Sequence, residues 1–126
     1  MTIISFSKAV GFCVEAAEEL AKEGISAEVI NMRSIRPLDR QALLKSVKKT
    51  GRLLAVEEGW PQSGITSELV TLVCESEVFD YLDAPPYRVT GADIPLPYAV
   101  GLEKMCMPMP NDIYVAAKRV VARPFK

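Results

Sequence analysis

The sequence predicts an α/β fold in which a mostly parallel sheet lies between two layers of helices, and three observations carry that expectation. Short apolar runs alternate along the chain with longer stretches whose apolar residues recur at helical spacing. Glycine, proline or aspartate punctuates each changeover. The run Leu53-Leu54-Ala55-Val56 is apolar on both faces, as a strand covered above and below must be. Strand and helix alternating in this way build parallel βαβ units, with helices on both sides of the sheet.

Residues 2–6 read as the first strand, and Ser7 as the cap of the helix that follows. Val10, Cys13, Val14, Ala17, Leu20 and Ala21 form one apolar stripe on that helix, opposite Glu15, Glu18, Glu19 and Lys22. Gly24 suits a left-handed stop. Residues 27–30 form a second strand. Asp39 then caps a helix over residues 40–50, Leu38 staples Leu43, and Gly51 ends the turn. Residues 52–56 are the third strand. A helix from about 65 to 79 follows, striped by Ile65, Leu69, Leu72 and Val73. Residues 87–90 make a fourth strand, shortened by Pro85 and Pro86. Residues 105–110 read as a linker, and residues 111–123 as a closing helix with Ile113, Ala116, Ala117, Val120 and Val121 inward and Pro124 as terminator.

A chain of 126 residues that is 49% hydrophobic accommodates one domain, residues 1–126, with a core large enough to need no metal or disulfide. Its 15 basic and 16 acidic residues leave a net charge of -1, which gives nucleic acid and anionic membranes no electrostatic footprint. Lys45, Lys48, Lys49 and Arg52, the densest basic cluster, read as a solvated helix face. No apolar run approaches the roughly 18 residues of a membrane span. Cys13, Cys74 and Cys106 form no C-x-x-C pair and point to a reducing compartment. Cys13 and Cys74 are expected in the core, and Cys106 at the surface. The chain has no histidine to activate a cysteine nucleophile. Met1 leads directly into an apolar strand, so the chain is expected to be a piece of a longer protein.

Residues 57–64, Glu-Glu-Gly-Trp-Pro-Gln-Ser-Gly, join a strand's carboxyl end to a helix amino end, where open α/β sheets seat ligands and partners. Gly59 and Gly64 permit close backbone approach, and the helix amino end offers N–H groups to an anion. Neither phosphate-binding glycine motif is present. Glu57 and Glu58 are adjacent and point to opposite faces, so both are expected to be structural. Trp60 and Gln62 are candidates for a subunit interface, with packing across the sheet edge as the alternative for Trp60. Arg33 and Arg36 precede Asp39 on the turn after the second strand, which reads first as local architecture, with Pro37 fixing the turn and Asp39 capping the helix; an interchain Arg–carboxylate pair is the sharper alternative, since a planar guanidinium suits a subunit contact. Asp83 lies in the acidic, proline-bounded loop 80–86, either as a solvated turn residue or as a carboxylate that docks a basic partner.

Two segments are especially distinctive: Ile30-Asn31-Met32-Arg33-Ser34-Ile35-Arg36-Pro37-Leu38-Asp39 and Gly91-Ala92-Asp93-Ile94-Pro95-Leu96-Pro97-Tyr98. With Lys49-Thr50-x-Arg52-Leu53, residues 56–64 and Leu82-Asp83-Ala84-Pro85, they closely resemble the carboxy-terminal domain of the pyruvate dehydrogenase beta-subunit family. The branched-chain 2-oxoacid dehydrogenase beta subunits look less similar. They carry His-Glu-Ala-Pro where this chain has Glu57-Glu58-Gly59-Trp60, and Pro-His where it has Pro97-Tyr98.

The resemblance implies a three-layer α/β/α sandwich of transketolase carboxy-terminal type, here expected to lack its first edge strand. It implies that thiamine diphosphate and magnesium belong to the parent enzyme, and that this piece alone binds no cofactor and contributes no catalytic residue. It further implies a role in assembly, with the alpha subunit, a second beta subunit and the subunit-binding domain of the dihydrolipoyl acetyltransferase core as partners. By resemblance Asp83 meets a basic residue of that core, with the carboxy-terminal Phe125 and Lys126 nearby. The mitochondrial matrix is the implied location, with a bacterial cytoplasm as the alternative. A stand-alone flavodoxin-like module holding a small anion at residues 58–64 is the competing reading of the residues themselves.

Overall fold

Strand β3 (Leu53–Val56) is fully buried, and the rest of the architecture is organised around it. The computed structural model describes residues 1–123. Along the chain lie β1 (Thr2–Ser5), α1 (Ala9–Lys22), β2 (Glu28–Asn31), α2 (Arg40–Thr50), β3, α3 (Ile65–Cys74), a 3-10 turn (Glu77–Tyr81), β4 (Tyr87–Val89), α4 (Val100–Cys106) and α5 (Pro110–Ala122). The described strands form one sheet in the order β2-β1-β3-β4, parallel throughout. This is the α/β sandwich the alternation predicts.

Side chains alternate across a strand, and the core divides accordingly. Ile3, Leu54 and Val56 meet α1 and α5 through Cys13, Leu20, Ile113 and Ala117. Ile4, Leu53 and Ala55 meet α2 and α3 through Leu43, Val47, Leu69 and Val73. Two buried clusters on opposite faces of one sheet make three layers. Burial pushes the Cys13 thiol up to about 11, with a smaller opposing effect from Ser5.

Local chemistry explains both the matches and the misses. Asp39 accepts the Ala42 N–H at 3.0 Å as the cap of α2, and Gly51 closes that helix at φ 67°. Ser7, by contrast, sits at φ 56° and caps nothing; α1 begins after Lys8 without a side-chain cap. The buried face of α1 is Ala9, Cys13, Ala16 and Leu20, rotated from the expected stripe, and Val14 lies at the surface. Small alanines let the helix sit close between the sheet and α5, so size, not hydrophobicity alone, selects the face.

The expected long helix after β3 ends at Cys74. There Ser76 accepts the Val78 N–H at 3.2 Å and starts the 3-10 turn. Cys74 is consequently exposed and Cys106 is buried, the reverse of the expected order. An unexpected helix, α4, precedes the expected linker and ends at Cys106, so that only residues 107–109 remain irregular. Pro110 begins α5, and Asp112 accepts the Met109 N–H at 2.9 Å.

Candidate docking site

The two ends of β3 each carry a carboxylate, and the structure uses them differently. At the carboxyl end Glu57 is buried. It accepts the Ile65 N–H at 3.0 Å, the Thr66 N–H at 3.1 Å and the Thr66 hydroxyl. Gly64, at the cap position of α3, has no side chain to do this work. A Cβ there would sit 2.8 Å from Glu57 Oε2 and closer still to Oε1. Glu57 therefore supplies the negative charge that a helix amino end attracts. The place where a stand-alone module would hold a small anion is occupied by the chain itself, which removes the basis of the flavodoxin-like reading.

Beyond Glu57 the loop is tied to the one that follows β4. The Gly91 N–H donates to Gly59 O at 2.9 Å, and the Trp60 indole N–H donates to Ile94 O at 3.0 Å. A side chain on Gly91 would run into the Glu58 carbonyl. Trp60 thus packs between loops and still leaves 57% of its surface exposed. Gln62 is exposed beside it. Arg36 and Arg40 line a groove of about 910 Å³ shared with Ser63, Gly64 and Glu68 of the α3 start. Arg33 is exposed at φ 48°, with its N–H donated to Asn31 Oδ1 at 3.1 Å. Arg36 and residues 63–64 are therefore brought together, whereas Arg33 lies outside that groove's lining.

At the amino end of β3, Asp83 is held by its backbone and its side chain. Its N–H donates to Gly51 O at 2.7 Å, and its carboxylate receives Arg52 Nη1 at 3.0 Å. The Asp83 side chain remains 58% exposed and that of Arg52 26%. The Arg52 Nε is buried and has no hydrogen-bond partner among the described residues. Gly51 leaves room for this arrangement, since a Cβ there would lie 2.8 Å from Asp83 Cγ.

The basic residues around Asp83 are likewise engaged. Lys48 pairs with Glu77 at 2.8 Å and lies over the Tyr81 ring, and Lys49 pairs with Glu28 at 2.7 Å. Hydrogen bonding to Lys48 holds Glu77 below the usual carboxylate range; Lys49 and then Ser46 do the same for Glu28. Sequence reasoning saw this cluster as a simple solvated face and missed the pairing, because each carboxylate partner is distant along the chain. Phe125 and Lys126 lie outside the described residues.

Among the described residues no helix is long and apolar enough to cross a membrane, and no group of His, Cys, Asp or Glu is placed to hold a metal ion. With the α3 amino end filled by Glu57, these residues do not fit thiamine diphosphate and magnesium.

A parallel sheet sandwiched between two helical layers defines a three-layer α/β/α domain. The chain belongs to the family described as transketolase, C-terminal domain, whose model matches residues 1–113. It is similar to the pyruvate dehydrogenase E1 component subunit beta-1, mitochondrial, of Arabidopsis thaliana, with 57% identity over 98% of this chain and 34% of that protein. The corresponding beta subunits of Dictyostelium discoideum and Homo sapiens are 56% and 49% identical, over 98% and 96% of this chain and 34% of each protein. The chain thus spans about a third of the length of these curated relatives. A solved structure described as split gene transketolase, inactive beta4 tetramer, superposes with a TM-score of 0.83 at 25% identity, over 97% of this chain and 39% of that one.

Proposed function

We propose that this chain is the carboxy-terminal assembly domain of a pyruvate dehydrogenase (acetyl-transferring) beta subunit. The observation that carries the reading is identity of 49–57% to such subunits across nearly the whole chain. The parent oxidoreductase decarboxylates pyruvate and acetylates the lipoyl group of the acetyltransferase core. Thiamine diphosphate and magnesium are bound elsewhere in the parent, by the rest of the beta chain and the alpha subunit. The mitochondrial names of the relatives support a location in the mitochondrial matrix.

Within that assembly the domain's work is contact. The loop end around Trp60, Gln62, Arg33 and Arg36 serves subunit association, and the free edge of β2 supports pairing with a further strand. Asp83 serves docking of the core's subunit-binding domain, with Phe125 and Lys126 beside it. The support for Asp83 is its geometry: a half-exposed carboxylate fixed by Gly51 and Arg52 and followed by Pro85-Pro86. A group already fixed loses little entropy on docking. In the full heterotetramer, Asp83→Ala is expected to weaken binding to the subunit-binding domain at least about tenfold, mainly through faster dissociation. Decarboxylation with an artificial electron acceptor stays near normal. Surface plasmon resonance decides it: unchanged affinity makes Asp83 a solvated turn residue, and a parallel loss of decarboxylation marks misfolding.

A further inference from the structure

Strand β4 is an outer strand of the sheet, and its far edge has no neighbouring strand among the described residues. The Glu57 N–H donates to Val89 O at 3.0 Å, so Val89 directs its backbone toward β3. Backbone groups alternate in direction along a strand, which leaves the N–H and C=O of Arg88 pointing outward. Neither has a hydrogen-bond partner among the described residues. A recess lies on each side of this edge. One, of about 410 Å³, runs between β4 and α5 and is lined by Val89, Val115 and Arg119. The other, of about 340 Å³, lies toward α3 and is lined by Pro61, Val70 and Arg88. Tyr87 borders both.

Each recess holds an arginine that no carboxylate neutralises among the described residues. Arg88 is half-buried, and its Nη1 donates to Pro61 O at 2.7 Å and to Ser67 Oγ at 2.6 Å. Arg119 is exposed, and its Nη1 donates to the Tyr87 hydroxyl at 3.2 Å. All three acceptors are neutral. The acid that lines the α5 recess, Asp112, is committed to the Met109 N–H at 2.9 Å. Lys48, Lys49, Arg52 and Lys118, by contrast, each hold a carboxylate of this chain. A half-buried guanidinium without a counter-ion gains most from one that a partner supplies.

We propose that the outer edge of β4 docks an extended acidic segment of a partner protein by strand addition. Main-chain bonds to Arg88 hold the segment, and its side chains, alternating between two faces, enter the two recesses. A carboxylate on one face meets Arg88 and a carboxylate on the other meets Arg119, each guanidinium offering a planar fork to two oxygens. Pro86 has no N–H to offer, so it ends the open edge and fixes the register of the added strand. Charge decides against other occupants. A basic segment is repelled, which sets this edge apart from the Asp83 surface. A second copy of this chain would bring Arg88 and Arg119 against their own duplicates. The same short, proline-bounded, arginine-flanked edge resists indiscriminate pairing, and an acidic segment alone gains from the charges that deter the rest.

The probe is an end-blocked peptide of alternating Glu-Glu and Val-Val pairs, titrated into the 126-residue chain and followed by amide NMR shifts. Saturable shifts are expected at Tyr87–Val89 and along α5 between Asp112 and Arg119, with none at Glu28–Asn31. The affinity should fall as salt is raised. Arg119→Gln, at an exposed position, should weaken binding at least about threefold, and its combination with Arg88→Gln at least about tenfold. A proline placed in the middle of the peptide removes a backbone N–H and should abolish binding, which tests the strand contact without altering this chain. The peptide with lysine in place of glutamate should not bind. An absence of shifts at millimolar peptide overturns the proposal and leaves the arginines as guards of the edge. So does equal binding of the lysine or proline peptide, an affinity indifferent to Arg119→Gln, or a response confined to β2.

Discussion

Strand β3 separates two carboxylates that each lie against a glycine at a helix end, Glu57 against Gly64 and Asp83 against Gly51, and that reached opposite fates. Glu57 is buried and receives two backbone N–H groups and a hydroxyl. Asp83 is more than half exposed and receives one guanidinium. A carboxylate whose acceptor capacity is filled by its own chain is architecture. One with open lone pairs at the surface is available to a partner. The number of donors each acid receives, rather than its residue type, distinguishes the two.

The most damaging test of that distinction is Glu57→Ala. It strands the Ile65 and Thr66 N–H groups and the buried Thr66 hydroxyl, and is expected to cost about 3 kcal/mol of stability by urea denaturation. A loss below 1 kcal/mol would mean that water replaces the carboxylate and that the site is open after all.

A matched pair of glycine substitutions sharpens the comparison, because each glycine lies against one of the two acids. Gly64→Ala drives a methyl group into Glu57, which has nowhere to go, and is expected to cost about 2 kcal/mol. Gly51→Ala meets Asp83, whose exposed side chain can yield at the cost of its surface pair with Arg52. Its cost is expected to be only about 1 kcal/mol, from the left-handed backbone alone. Equal urea midpoint shifts for the two variants would contradict the assignment of one acid as walled in and the other as able to yield at the surface.

The smallest expected effect is on the other acid itself. Asp83→Asn gives up one partly screened surface ion pair, so its stability should change by less than about 1 kcal/mol. Its proposed importance lies in partner binding. A thermal unfolding scan that shows a shift as large as that of Glu57→Ala would make Asp83 a structural residue.

Much of this was legible in the sequence where the signal is local. Asp39 three residues before Ala42, and Gly51 after Thr50, mark the bounds of α2 because capping involves only neighbours. The apolar run 53–56 marked the central strand for the same reason. What was not legible depended on contacts made at a distance. The rotated face of α1 is chosen by α5, almost a full chain length away. The roles of Cys74 and Cys106 were exchanged because a serine, Ser76, cut α3 short and because α4, unforeseen ahead of the linker, runs on to Cys106. Glu57 was correctly read as structural. The sequence alone did not say that it caps α3, although a glutamate at a strand end, eight and nine residues before its donors at Ile65 and Thr66, is a spacing that could be sought elsewhere.

The stitches between the two loops at the carboxyl end of the sheet also determine what can open alone. The Gly91–Gly59 and Trp60–Ile94 bonds cross from the loop after β4 to the loop anchored by Glu57. Regions that share their hydrogen bonds fluctuate as one cooperative unit rather than as separate segments. The loop after β4 and the start of α3 therefore open together or not at all. A buried acid in one loop thereby helps decide how often the other loop opens.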